Sequence, residues 1–192
     1  MKQYIQAIKT YITTHKKALA IGTAVILAIV VLITAIILFI QNSKTKIVYQ
    51  PANACDLLTP DEARELLGNK SIHSGVQTPV LSGDTAISRC GYTDGNPDTN
   101  NMIVAAIVVR SGVNDKGVAK NKTEFETNQS AKDVESVKNL GDSAYFNKAI
   151  GQLNVLSGHE WVIFSYGVGP APSTNTLDNA VRLADKVLKK SV

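Results

Sequence analysis

Residues 102–109 read MIVAAIVV, eight apolar residues rich in β-branched side chains and bounded by Asn100-Asn101 before and Ser111-Gly112 after. A run of that length between turn residues predicts a central sheet strand buried on both faces. On either side the pattern repeats in short segments punctuated by Gly, Asn, Asp and Pro. Strands are expected near 71–76, 86–92, 103–110, 134–138, 144–147, 153–157 and 161–166. Thr59-Pro60-Asp61-Glu62 carries a capping box with proline at the first helical position, and Gly68 closes that helix. A second, more polar helix is expected over 115–128. A third follows from Leu177, Ala180, Val181, Ala184, Val187 and Leu188, which recur on one stripe. Strands joined mostly by short turns and flanked by helices give an α+β domain with a mainly antiparallel sheet.

The longest apolar run lies elsewhere. Residues 18–40, ALAIGTAVILAIVVLITAIILFI, contain no charged residue. As a helix they would extend roughly 35 Å, enough for the roughly 30 Å hydrocarbon core of a bilayer. The sequence therefore predicts a single uncleaved transmembrane helix with membrane lipid as its partner. Lys2, Lys9, Lys16 and Lys17 precede it without any acid, which places the N-terminus in the cytoplasm and the remainder outside. Ala20, Ala24 and Ala28 form a small-residue face on which a second helix could pack. The expected organisation is a basic amphipathic segment over 1–17, the span over 18–40, a polar tether over 41–54 and one extracytoplasmic domain over 55–192.

The formal net charge of +4 does not argue for nucleic acid. All sixteen Asp and Glu lie beyond Gln50, and from Ile47 onward they outnumber fourteen Lys and Arg, leaving that part at −2.

Two cysteines, Cys55 and Cys90, fall in the expected exported part. A disulfide is the simplest reading in an oxidising compartment, and lipid modification of Cys55 after Ala52-Asn53-Ala54 is the alternative. The pair lacks metal-ligand spacing, and His73 and His159 show no ligand pattern, so no metal site is expected. Asp94, Asn96 and Asp98 alternate as in a calcium loop. Thr99 stands where that loop requires glycine and Ala105 where it requires glutamate, so a hairpin loop is the better account. Trp161, Phe164 and Tyr166 are candidates for a ligand-pocket wall, although alternation along a strand sends Trp161 to the face opposite the other two. Gly141-Asp142-Ser143 resembles a hydrolase nucleophile block but has no Asp-x-x-His downstream, and it reads as a turn.

Ala54-Cys55-Asp56-Leu57-Leu58-Thr59-Pro60 with Leu66-Leu67-Gly68, then Cys90-Gly91-Tyr92, then Leu140-Gly141-Asp142-Ser143-Ala144-Tyr145, resembles a family of actinobacterial cell-envelope lipoprotein domains of unknown function. The resemblance runs from Cys55 to the last helix. It implies an extracytoplasmic α+β domain of the PsbP-like kind, a Cys55–Cys90 disulfide and no established catalytic residues. The chain departs from that family in its apolar run, which takes the place of a lipid-bearing cysteine.

The functional expectation is a membrane-anchored, non-catalytic binding or protein-interaction module of the bacterial cell envelope. It needs no cofactor, and its partner would be an envelope protein or a small ligand. The alternatives are an envelope hydrolase, and a sensor or accessory subunit of a membrane complex acting through residues 1–17.

Overall fold

The computed structural model describes residues 46–68 and 70–188, together with 4–6, 10, 27, 29–34 and 36. The chain divides into two units, Met1–Thr45 and Lys46–Val192. In the first, every described residue is helical and exposed, and Thr10 Oγ1 donates to the Gln6 carbonyl at 2.9 Å.

The expected anchor is corrected here. Among the described residues no helix is long and apolar enough to cross a membrane. Of residues 18–40 only Leu27, 29–34 and Ile36 are among those described. Single-pass membrane anchoring and a cell-membrane location therefore lack structural support. The pairing face of Ala20, Ala24 and Ala28 lies outside the described residues.

The second unit is built on a seven-stranded antiparallel sheet in the order β1-β2-β3-β7-β6-β5-β4. The strands are β1 (Ile72–Ser82), β2 (Thr85–Thr93), β3 (Ile103–Gly112), β4 (Val134–Val137), β5 (Ser143–Asn147), β6 (Gln152–Ser157) and β7 (Glu160–Val168). Four α-helices accompany them among the described residues: α1 (Ala54–Leu57), α2 (Pro60–Leu67), α3 (Asp115–Gln129) and α4 (Leu177–Leu188). The capping box forms at α2, where Glu62 Oε2 accepts from the Thr59 backbone N–H at 2.8 Å. Gly68 ends α2 with φ +74°, a left-handed conformation that glycine adopts without steric cost.

One face of the sheet carries α1 and α2 over the β1 to β3 side and α4 over β6 and β7. Leu58, Tyr92, Ile107, Val109, Leu153, Val155, Phe164, Leu183 and Val187 are buried between these layers. The other face is covered over only part of its width. There α3 packs on β3, β7 and β4, and Phe125 joins Tyr145, Leu156 and Trp161 in a second apolar cluster.

The polar character of α3 is explained by what it buries: Gly117, Asn121 and Phe125, one residue per turn. A Cβ at Gly117 would stand 1.8 Å from the Asp84 carbonyl, so glycine permits the approach. Asn121 Nδ2 donates to the Arg110 carbonyl at 2.9 Å.

The strand at 102–109 is central in the sheet, but its burial is one-sided. Ala105, Ile107 and Val109 are buried, whereas Val104, Ala106 and Val108 on the incompletely covered face are half-buried.

Candidate functional site

The sequence candidates are placed as follows. Trp161 lies in the second cluster with its ring centroid 5.7 Å from that of Phe125, and its indole N–H donates to Asn154 Oδ1 at 3.0 Å. Phe164 and Tyr166 lie in the main core on the opposite face, and Tyr166 Oη donates to the Leu66 carbonyl at 2.7 Å. None of the three lines either cavity described below. Asp94 Oδ1 accepts from the Asn96 and Ile103 backbone N–H groups, both at 3.1 Å. Asn96 Oδ1 accepts from Asp98 N at 3.0 Å, and Asp98 Oδ1 from Asn100 N at 3.0 Å. These three side chains thus brace their own hairpin loop. Asp142 Oδ2 likewise accepts from the Gly158 N–H at 2.7 Å, as a turn-stabilising carboxylate does.

Cys55 and Cys90 are disulfide-bonded, with their Cα atoms 5.0 Å apart. The bond fastens α1 to β2. Ser88 reinforces it, donating from Oγ to the Ala52 carbonyl at 2.7 Å and accepting from Ala54 N at 3.1 Å. The structure also brings His73 to this pair. In the β1–β2 register His73 faces Tyr92 and Val76 faces Cys90, with an irregularity between His73 and Gly75. His73 therefore shares the α1 side of the sheet with Tyr92 and Cys90. Its ring lies 4.3 Å from the Tyr92 ring. Tyr92 is buried, which raises its phenol pKa, and the charge of Glu62 adds to the effect.

Residues 46–54, expected as part of a tether, run along one end of the sheet. Val48 N and Tyr49 N both donate to the Val113 carbonyl, at 2.7 and 3.1 Å. The Tyr49 ring stacks on His159 at 5.1 Å, and its hydroxyl donates to Asp115 Oδ1 at 2.8 Å. Beside this stack Glu160 opens β7. It accepts from Ser111 Oγ at 2.6 Å, and its other oxygen lies 3.1 Å from His159 Nε2. Burial pushes the Glu160 carboxyl above the ordinary carboxylate range, opposed by its hydrogen bond from Ser111, the charge of His159 and the Ala52 backbone. A cleft of about 240 Å³, walled by Leu57, Val162 and Leu188 among others, adjoins the group. This resembles an acid/base arrangement, but Ser111 is buried and its hydroxyl is engaged on both sides, since Ala52 N donates to it at 3.0 Å. The carboxylate and the serine act together to pin the chain at Ala52. Sequence reading missed this cluster because Ser111, His159 and Ala52 converge only through the β3–β7 register, in which Ser111 faces Glu160.

The most open feature is the β1 side of the sheet. β1 is paired on one edge only among the described residues. Ile72, Val76, Val80 and Leu81 are exposed at 57%, 57%, 53% and 51%. Over β1, β2 and β3 runs a groove of about 330 Å³, lined by Gly75, Gln77, Arg89, Gly91, Ala106 and Val108 among others. Its floor lacks a side chain at Gly91, over which Ser74 packs closely: a Cβ there would approach Ser74 Oγ to 2.9 Å.

Comparison with protein-family models, curated proteins and solved structures yields no match.

Proposed function

We propose that the second unit is a non-catalytic binding module that takes an extended segment of a partner protein along the free edge of β1. The observation that carries this reading is the composition of that edge. Exposed edge strands are guarded by charged side chains, especially lysine, by proline or by bulges, and β1 has Pro79 and two irregularities but no charge. β1, Ile-His-Ser-Gly-Val-Gln-Thr-Pro-Val-Leu-Ser, has no Lys, Arg, Asp or Glu in its 11 residues. An added strand gains main-chain hydrogen bonds along such an edge, and a neighbouring pocket selects its side chains. The groove beside Gly75 and Gly91 supplies that pocket. The earlier resemblance to envelope domains without established catalytic residues agrees with this proposal.

A random peptide library displayed on phage, selected on the wild-type domain and counter-selected on Val80→Lys, tests it. Selected peptides should shift the β1 amide resonances and bind Val76→Lys and Val80→Lys more than about tenfold more weakly. Peptides whose shifts cluster away from β1, or which bind both variants equally, would remove the proposal.

One observation favours a second reading, a hydrolase: Glu160 combines a raised pKa with His159 at the mouth of a cleft. That reading requires a substrate whose turnover is lost in Glu160→Gln while the fold is kept.

A further inference from the structure

Cys55, His73 and Cys90 each present a potential ligand atom, and these atoms all lie within 4.8 Å of one another. The geometry points to a second state of this cluster: with the disulfide reduced, Cys55, Cys90 and His73 form a three-ligand site for a thiophilic divalent metal of the zinc class.

Two thiolates and one imidazole are ligands that such an ion accepts in tetrahedral geometry, with a water molecule completing the shell. Their placement suits the role. Cys90 is buried on β2 and held at a fixed position in the sheet, Cys55 is half-buried on α1, and His73 is exposed on β1. Three different elements thus contribute one ligand each. The Tyr92 ring beside the imidazole limits its orientation. The open side at His73 leaves room for metal entry and for a solvent ligand.

The chemistry balances with a reductant such as a dithiol. The disulfide takes up two electrons and two protons to give two thiols, and the reductant becomes a disulfide. Binding of the divalent ion then releases the two thiol protons. Oxidised and metal-loaded forms exclude each other, because a sulfur in the disulfide is not a thiolate. The cluster is accordingly a redox-gated metal site, and it stands independently of peptide docking on the outer edge of β1.

The test uses the full chain, reduced with a phosphine, desalted without oxygen and titrated with cobalt(II) as a spectroscopic probe. The reduced wild type should take up one ion per chain and show the thiolate charge-transfer and visible bands of tetrahedral cobalt, displaced by zinc. Oxidised protein should show neither. His73→Ala, which keeps both cysteines, should bind more than about tenfold more weakly, since loss of a direct ligand exceeds the usual effect of losing an outer-shell partner. Thermal unfolding of the reduced protein should shift upward with zinc in the wild type and much less in His73→Ala. Absence of the cobalt bands in reduced wild type, equal affinity in His73→Ala, or a reduced chain that stays unfolded with zinc would each overturn the proposal.

Discussion

Replacing both cysteines, Cys55→Ala with Cys90→Ala, should cost the domain about 4 kcal/mol, mostly through the unfolded state. The bond joins residues with a sequence separation of 35. Cross-linking a loop of that length removes roughly 13 cal/mol/K of unfolded-chain entropy, or about 4 kcal/mol at room temperature. The folded state should change little. α1 stays fastened through the two Ser88 hydrogen bonds, and Ala54 and Leu58 remain fully buried in the core. Alanine is chosen because a serine hydroxyl at buried Cys90 would add a desolvation cost unrelated to the cross-link. For a unit of this size the loss lowers the midpoint of thermal unfolding by roughly 10 °C. Urea unfolding is the assay that separates the causes. A freed unfolded chain exposes more surface, so the m-value should rise while the native near-ultraviolet spectrum is unchanged. A loss below about 1 kcal/mol with an unchanged m-value would refute the entropic argument.

Three further outcomes follow from individual contacts. Burial holds the folded-state pKa of Glu160 above its ordinary value of 4.5, so the folded protein favours the protonated carboxyl. Stability should therefore fall as pH rises from about 4.5 through the folded-state pKa, and Glu160→Gln should lack that component when urea midpoints are compared across pH; a wild-type profile parallel to that of the variant would show that the shift is absent. Tyr166→Phe removes the donor from the buried Leu66 carbonyl and should cost about 1 to 3 kcal/mol in denaturant unfolding, with a change under about 0.5 kcal/mol telling against that contact. Pro79→Val restores an N–H to the free edge and should raise self-association in sedimentation experiments, whereas an unchanged monomer–dimer balance would mean that proline is not what protects β1.

Much of the second unit was legible because its signals are local. Turn residues separate the seven strands, and a capping box with a terminal glycine marks α2. Where the structure departs from expectation, local pattern is overridden. β1 continues to Ser82 although Thr78 and Pro79 break its alternation, because an edge strand tolerates a missing N–H. α1 has only four residues and no periodicity to detect; its Asn53 cap and Cys55 disulfide define it. Helix α3 hides its packing face in Gly117 and Asn121, which no hydrophobic pattern reveals. The Cys55–Cys90 pair was legible, but the approach of His73 to it and the Ser111–His159–Glu160 group were invisible for a different reason. Each depends on antiparallel register across separate elements, and a shift of one residue would send His73 or Ser111 to the other face.

The same register explains why the uncharged edge suits a short partner segment better than a second copy of the whole strand. β1 carries irregularities between His73 and Gly75 and between Gln77 and Val80, and Pro79 offers no N–H. A continuous ladder along all 11 residues is thereby interrupted. What remains is a stretch around Gly75 to Gln77, set beside the groove at Gly91 and Ala106, and a shorter one at Val80 to Ser82. The groove is adjacent to the first stretch, so specificity belongs there, while Val80 and Leu81 add apolar contact without a comparable pocket. The mid-sheet strand ends, where β3 finishes and β7 begins, are arranged otherwise. Ser111, Glu160, His159 and Tyr49 use their polar groups to hold residues 48–52 in place. The ends of β3 and β7 are thus covered by the chain itself, and the β1 edge is left for a partner segment.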